Sequence, residues 1–508
     1  MIKKILRFLT QRVVITAVFI VIQALLLFGI IWKLNNYFVY FYAANILISV
    51  LLTLGIINGK SNPAYKIAWL IPILLLPVFG GMFYIVFGSN RTGRYMREKM
   101  GQIEEEMTES VKEVSRESGI EQLPADIVNQ SRYISQRAYS PPYKNTQTEY
   151  LPMGEIKFER MVEELKKAEH YIFLEYFIIQ EGKMWNTILE ILKEKAAAGV
   201  DVRVIYDDMG CIMTLPTGYD KKLEQMGIKC CVFNPFVPIL SSKFNTRDHR
   251  KICVIDGNVG FTGGINLADE DINEYEKHGH WKDTAIMLKG EAVFALTAMF
   301  LSMWDYLRGE KEDYGKYYPT KLEKEAKGYI QPFTDNPLDD EAVGETVYLN
   351  LINKAKRYVY ITTPYLILDS EMITALSTAA KSGVDVRIIT PHVPDKWYVH
   401  AVSRAHYEVL TEAGVKIYEY TPGFVHAKTF VVDDEYAVVG TINLDYRSLY
   451  LHFECAVWMY GTDSVAQVRD DFFKTQQLSQ EITLQQCREV SFPRRLGRSV
   501  LKVFAPLM

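Results

Sequence analysis

The stretch HRKICVID, His249–Asp256, decides how the rest of this chain is read, because the chain writes its pattern twice. VHAKTFVVD, residues 425–433, repeats His-x-Lys-x-x-x-x-Asp as His426, Lys428 and Asp433, with 426 − 249 = 177 residues between the copies. The agreement runs past the aspartates: glycine stands 14 residues after each histidine (Gly263, Gly440) and asparagine 17 after (Asn266, Asn443). Five residue types at five identical offsets mark an internal duplication. Residues two apart on a strand share a face, so His249 points with Lys251, and His426 with Lys428. Asp256 and Asp433 fall on the opposite parity, at DGN and DDE turns, where fixing the turn is the expected job.

Working outward, the flanking segments repeat as well. AEHYIFLEYF (168–177), AAAGVDVRVIYDD (196–208) and LEQMGIKCCVFNP (223–235) are answered by AKRYVYITTPYLI (355–367), AAKSGVDVRIITP (379–391) and LTEAGVKIYEYTP (410–422). Apolar strands separated by helical patterns predict an α/β protein of two duplicated α/β/α sandwich halves, each around a mostly parallel sheet. The expected division is a membrane region at 1–100, a helix and linker at 101–148, halves at 149–325 and 326–485, and a tail at 486–508.

The N-terminus differs in kind. Val13–Trp32, Tyr37–Ile57 and Ile67–Phe87 are apolar runs of about twenty residues, enough to cross roughly 30 Å of hydrocarbon at 1.5 Å per residue. Transmembrane helices are therefore expected. Pro72, Pro77, Gly80 and Gly81 suit the third run to a bent segment that re-enters on its own side. Basic residues then fall ten against one, which places the domain after Arg91 in the cytoplasm, on the inner face of a multi-pass cell membrane protein.

Composition narrows the function. A net charge of −4 over 508 residues lacks the basic excess of a nucleic-acid binder. The six cysteines form no CxxC pair and read as buried, reduced thiols. Each motif sets a lysine beside its imidazole, which disfavours a metal; no metal and no cofactor are expected. Histidine, lysine and an amide donor instead suit an anionic oxygen cluster. Two histidines are the number a double displacement at phosphorus needs, one attacking and one moving the proton. Lys251, Lys428, Asn266 and Asn443 would surround the non-bridging oxygens.

Paired HxKxxxxD motifs followed by GxxN resemble the phospholipase D superfamily, over residues 150–480. The resemblance groups His249, Lys251, Asp256, His426, Lys428 and Asp433 as catalytic, with His249 as nucleophile and His426 as general acid. It also implies a downstream carboxylate orienting each histidine: Asp283 in HWKDTAIM for the first half, Glu454 in LHFECAVW for the second. Thr441 stands where the first half has Gly264. AWLIPILLLPVFGGMFYIVFG (68–88), GHWKDTAI (279–286) and GVKIYEYTPGFVHAKTFVVDD (414–434) further resemble the bacterial cardiolipin synthases, although Val13–Trp32 exceeds the usual two apolar runs. That resemblance implies transfer between two phosphatidylglycerol molecules, giving cardiolipin and glycerol. Hydrolysis, or transfer to another alcohol, stays open as the alternative. Phosphatidylglycerol and anionic membrane lipids are the expected partners. The apolar loop FVPILSSKF (236–244) is read as a lip for acyl chains or a core loop. The tail FPRRLGRSVLKVFAPLM is read as a basic amphipathic helix suited to an anionic membrane surface, with a terminal helix docked on the protein as the alternative.

Overall fold

The computed structural model describes residues 38–88, 94–114, 118–236, 245–323 and 326–507, with scattered residues between 18 and 33. Nine strands belong to the first half: β1 (Thr146–Leu151), β2 (Tyr171–Tyr176), β3 (Asp201–Asp207), β4 (Lys229–Phe233), β5 (Arg247–Asp248), β6 (Lys251–Ile255), β7 (Val259–Gly263), β8 (His280–Lys282) and β9 (Ala285–Gly290). Nine more belong to the second: β10 (Tyr329–Asp335), β11 (Tyr358–Thr362), β12 (Asp385–Pro391), β13 (Lys416–Tyr420), β14 (Gly423–Val425), β15 (Thr429–Val432), β16 (Tyr436–Gly440), β17 (His452–Tyr460) and β18 (Ser479–Ile482). The first sheet runs β1-β9-β7-β6-β2-β3-β4, and the second runs β10-β17-β16-β15-β11-β12-β13 in the same order before adding β18. The duplication in sequence is a duplication in topology.

The sheets are mixed, and this corrects the mostly parallel expectation. β2, β3 and β4 are parallel, but β6, β7, β9 and β1 pair antiparallel. The cause is the turn after each motif. Asp256 and Gly257 have φ of 51° and 64°, and Asp433 and Asp434 have 55° and 62°. Two successive positive φ values make a type I′ hairpin, closed by Asn258 N–H to Ile255 O at 3.1 Å and Glu435 N–H to Val432 O at 3.0 Å. A tight hairpin forces the next strand to run back. The aspartates also tie each turn to the chain entering the neighbouring strand. Asp256 accepts from the backbone N–H groups of Glu169, His170 and Tyr171 at 2.7–2.8 Å. Asp433 does the same for Lys356, Arg357 and Tyr358 at 2.6–2.9 Å.

A shared core joins the halves. Helix α6 (Val293–Arg308) is buried from Val293 to Asp305; Phe300 stacks on Phe173 at 4.7 Å and on Trp304 at 5.9 Å. The same cluster takes Tyr418, Val431, Val439 and Phe453 from the second half. The segment read as a helix and linker packs into this architecture through two helices. Helix α4 (Arg94–Val114) adds Met100, Met107 and Val111 to the shared core. Helix α5 (Ala125–Arg137) adds Ile127 and Ile134 to the second half's own core.

Of the apolar runs, 13–32 lies mostly outside the described residues. The second coincides with α1 (Phe38–Asn58), whose fully described stretch is 42–58. The third is broken into α2 (Pro63–Leu75), α3 (Pro77–Phe83) and a π turn at Tyr84–Gly88. Pro77 cannot continue the ladder, and Leu76 takes φ −129° and ψ 68° at the break. Among the described residues no helix is long and apolar enough to cross a membrane. Asn62 caps α2 and donates to Asp369 at 3.0 Å and Tyr450 at 2.9 Å, tying this region to the second half.

Deleting either turn carboxylate leaves three backbone N–H groups without their acceptor, a loss of about 1–3 kcal/mol or more. Asp256→Ala and Asp433→Ala are expected to lower the denaturation midpoint by similar amounts, one in each half, measured by urea titration. An unchanged midpoint for both contradicts the anchoring role.

Candidate active site

His249 and Arg250 join β5 to β6, and His426, Ala427 and Lys428 join β14 to β15, so the histidines stand just outside the strands on which their spacing placed them. Arg250 points away from its neighbours His249 and Lys251 and is buried on Glu175 and Asp248. His249 and Lys251 face the other way. Two short strands then leave their own sheets. β5 lies parallel to the start of β17, matching Arg247 with His452 and Asp248 with Phe453. β14 lies parallel to β8, matching Gly423 with His280, Phe424 with Trp281 and Val425 with Lys282. The next residue after each pairing locks on: His249 N–H donates to Phe453 O at 2.9 Å, and His426 N–H to Lys282 O at 2.6 Å. One residue further along the partner strand stands a carboxylate.

The carboxylates are therefore exchanged. His249 Nδ1 lies 2.9 Å from both oxygens of Glu454, and His426 Nδ1 lies 2.6 Å from Asp283 Oδ2. This corrects the expectation that each acid serves the histidine of its own half. Both acids are fully buried. Ser448 Oγ donates to Glu454 Oε1 at 2.7 Å and Thr441 Oγ1 donates to Oε2. Thr441 thus supports the acid instead of reaching into the site. Its counterpart Gly264 has no room for a side chain, since a Cβ there would collide with the Asp283 carboxylate.

The motif lysines are 1% exposed, and each donates to the backbone oxygen of its own histidine, Lys251 to His249 at 2.7 Å and Lys428 to His426. Burial lowers the pKa of Lys251, and burial pushes Lys428 down to about 8. The motifs feel one another across the halves. Burial, then Lys251, His452, Lys428 and His426, hold His249 well below its usual range. Burial and Lys428 push His426 down to about 4, against the pull of Asp283. Both imidazoles are neutral at neutral pH. With Nδ1 turned to a carboxylate, each leaves Nε2 for chemistry. Phe177 walls His249 at 5.1 Å, while Trp281 and Phe424 wall His426 at 5.1 and 5.9 Å.

Asn266 and Asn443 are 4% and 5% exposed. Asn266 Oδ1 accepts from Ile178 N–H at 3.3 Å, which leaves its NH₂ as the available group. Asp256 and Asp433 lie at the far ends of their strands, spent on backbone N–H groups; grouping them with the reacting residues does not survive that geometry. Among the described residues, His249, His452 and Glu454 form one set of donors within 4.8 Å, and Asp271, Asp283 and His426 another. Neither set suits a cation, because the two buried ammonium groups stand beside both. They suit an anion.

Four supporting residues escape the motif: Thr441, Ser448, Asp271 and His452. One signal would have found two of them. Asp271 and Ser448 both stand 22 residues after their histidines (271 − 249 and 448 − 426), a sixth position where the types differ. Ser448 supports Glu454, whereas Asp271 accepts from Asn266 N–H at 2.9 Å near Asp283. Burial and the charge of Asp283 raise Asp271 to about 8. The loop 237–244, including most of the proposed lip, lies outside the described residues.

Fused α/β halves of one topology, whose buried His-Lys motifs each take a carboxylate from the other half, define the phospholipase D-like class of proteins. The family model described as "Cardiolipin synthase, PLD-like domain" matches residues 161–304 and 348–475, and "Phospholipase_D-nuclease N-terminal" matches 47–89. The chain belongs to this cardiolipin synthase family. It is 37% identical to a cardiolipin synthase of Geobacillus kaustophilus, over 91% of this chain and 92% of that protein. It is 35% identical to the cardiolipin synthase of Halalkalibacterium halodurans, over 91% and 93%. An uncharacterized Streptococcus mutans protein is 46% identical over 90% and 99%. Among solved structures, the phosphatidylserine synthase of Haemophilus influenzae shares the fold with a TM-score of 0.57, at 16% identity over 74% of this chain and 97% of that one.

Burial raises Glu454 to about 8, against Lys251, Thr441 and Ser448. While protonated, its carboxyl donates to His249 Nδ1 and shifts the ring proton to Nε2, blocking that nitrogen. Turnover is expected to rise with pH up to about 8. Glu454→Gln should lower the maximum and flatten that limb; an identical limb in the variant rules this out. For Asp271, a raised pKa means the native state holds a proton that the unfolded chain releases between about pH 4 and its folded value of about 8. Stability therefore falls as pH rises through that window. Asp271→Asn removes this titration, so its melting temperature should gain on the parent's between pH 5 and pH 8.

Proposed function

We propose that this protein is a cardiolipin synthase that transfers a phosphatidyl group between two phosphatidylglycerol molecules. The observation that carries the reading is the exchanged pairing, which turns a neutral imidazole from each half, together with two lysines, toward one site. His249 Nε2 attacks the phosphorus of the first lipid, the bond to its terminal glycerol oxygen breaks, and His426 donates the proton that leaves with glycerol. An anionic phosphodiester beside His426 raises its proton affinity, so a ring that is neutral in the free protein can carry this proton. The terminal hydroxyl of the second phosphatidylglycerol then gives its proton to His426 and attacks the phosphatidyl-histidine. Its oxygen forms the new bond, the histidine bond breaks, and cardiolipin leaves. Lys251, Lys428, Asn266 and Asn443 stabilise the charge on the non-bridging oxygens.

The same reading makes the N-terminal region the membrane anchor. α1 carries no charged side chain, and Leu47, Leu51, Leu54 and Ile57 are more than half exposed, a surface that lipid would cover. The break at Leu76–Pro77 supports a third run that re-enters instead of crossing. The body after Arg91 then faces the cytoplasm. Cysteine-accessibility labelling that places both Lys3 and Arg94 outside the cell would refute this topology.

Purified protein given phosphatidylglycerol in mixed micelles is expected to form cardiolipin and glycerol; phosphatidic acid as the main product would favour hydrolysis. His249→Ala should abolish the covalent adduct. His426→Ala should lower turnover about 10²–10⁴-fold yet still form the phosphohistidine at His249 from a phosphodiester with a nitrophenol leaving group. An adduct trapped on His426 instead reverses the two roles.

A further inference from the structure

The C-terminal helix has two apolar faces, and the fold uses one. Helix α8 (Phe492–Phe504) lies antiparallel along α7 (Trp397–Glu412). Just before α8, Arg488 pairs with Glu408 at 3.4 Å and Glu412 at 2.9 Å. At the other end Leu501 and Ala505 pack with Val399 and Val402. Leu507 continues onto Ile56, Trp69 and Ile73 of α1 and α2. The tail is thus a brace between the second half and the N-terminal region.

The outward face is left over. Phe492, Leu496, Val500 and Val503 are 76%, 55%, 51% and 36% exposed, and their spacing of four, four and three puts them in one stripe. Arg494, Arg495, Arg498 and Lys502 flank it, and no acidic residue occurs after Glu489. The helix it braces exposes apolar residues as well: α2 shows Ile67, Leu74 and Leu75 at 55%, 63% and 74%. A basic rim around an apolar strip, without acids, matches an anionic lipid surface in both charge and polarity.

We propose that α8 lies in the plane of an anionic bilayer and, through α7, sets how the His426 side of the site meets that bilayer. The link to the site is short. α7 begins with Trp397, 72% exposed, directly after Asp395 and Lys396. Asp395 accepts from Tyr365 at 2.6 Å, and Tyr365 packs on Phe424 at 6.3 Å beside His426. A helix held at the membrane surface therefore brings the aromatic wall of the second half to the lipid. The inference rests on the membrane reading above but needs no particular reaction.

The full chain, with Cys487→Ser, carries a bimane label at Leu496→Cys, at Val500→Cys or, as control, at Glu190→Cys on the first half. In vesicles containing brominated phosphatidylcholine and phosphatidylglycerol, the labels at 496 and 500 should be quenched and the label at 190 should not. Removing phosphatidylglycerol should weaken the quenching. Unquenched labels overturn the proposal, as does an unlabelled Leu496→Cys or Val500→Cys variant that oxidises to a disulfide between two copies, the latter making this face a contact between copies. The double variant Leu496→Asp, Val500→Asp should lose about tenfold in vesicle turnover and keep full turnover in mixed micelles. Equal turnover in vesicles also overturns it. Absence of cardiolipin from the parent in micelles would defeat the reaction instead, leaving the quenching to decide the helix.

Discussion

Everything in the site depends on one interlock: each half pairs a short strand with a strand of the other, and that partner strand presents, near the start of β17 and just past the end of β8, the carboxylate that holds the histidine. The β5–β17 and β14–β8 pairings are only two and three residues long. They are nevertheless placed one residue before each imidazole, where backbone hydrogen bonds set direction most directly. A half on its own would possess a histidine without its acid and an acid without its histidine. Neither half is a site, and the shared core around α6 is what makes the exchange rigid.

The exchange is symmetric in its backbone and unequal in its side chains. Around His249 stand His452 at 5.7 Å and an acid supported by two hydroxyls. Around His426 stand Trp281 and Phe424, and an acid with a second carboxyl nearby. Lys428 and His426 hold Asp283 low against the effect of burial, while burial drives Glu454 up. Pairs of groups whose surroundings push their proton affinities apart can divide acid and base work between them. The duplication supplies two imidazoles; the divergence lets them differ.

Much of this was legible in the sequence, because an offset ladder is a strong statement about a strand and its following turn. The two-residue spacing grouped His249 with Lys251 and His426 with Lys428, although the histidines stand just outside the strands, and the Asp-Gly and Asp-Asp turns already implied the hairpins. Reading those turns fully would have replaced the parallel sheet with a mixed one. The pairing of acids was beyond reach. Asp283 and Glu454 stand at different distances from their motifs, and no spacing along one chain says which half's strand will lie beside which. In the segment 101–148 a helix was legible but its packing was not: Met107, Ile127 and Ile134 are spaced for helices, while partners such as Phe300 and Val347 are some two hundred residues away.

In the proposed reaction, burial favours a lipid alcohol over water. The motif lysines and both orienting acids are almost wholly withdrawn from solvent, and the imidazoles are 8% exposed. A phosphatidyl-histidine formed there meets few water molecules, while the brace of α8 and the capped start of α2 tie the second half to the apolar N-terminal region. The acceptor hydroxyl that reaches the intermediate is then the one delivered from that side. Selection between transfer and hydrolysis becomes a matter of which nucleophile the architecture admits, because the chemistry at phosphorus is the same for both.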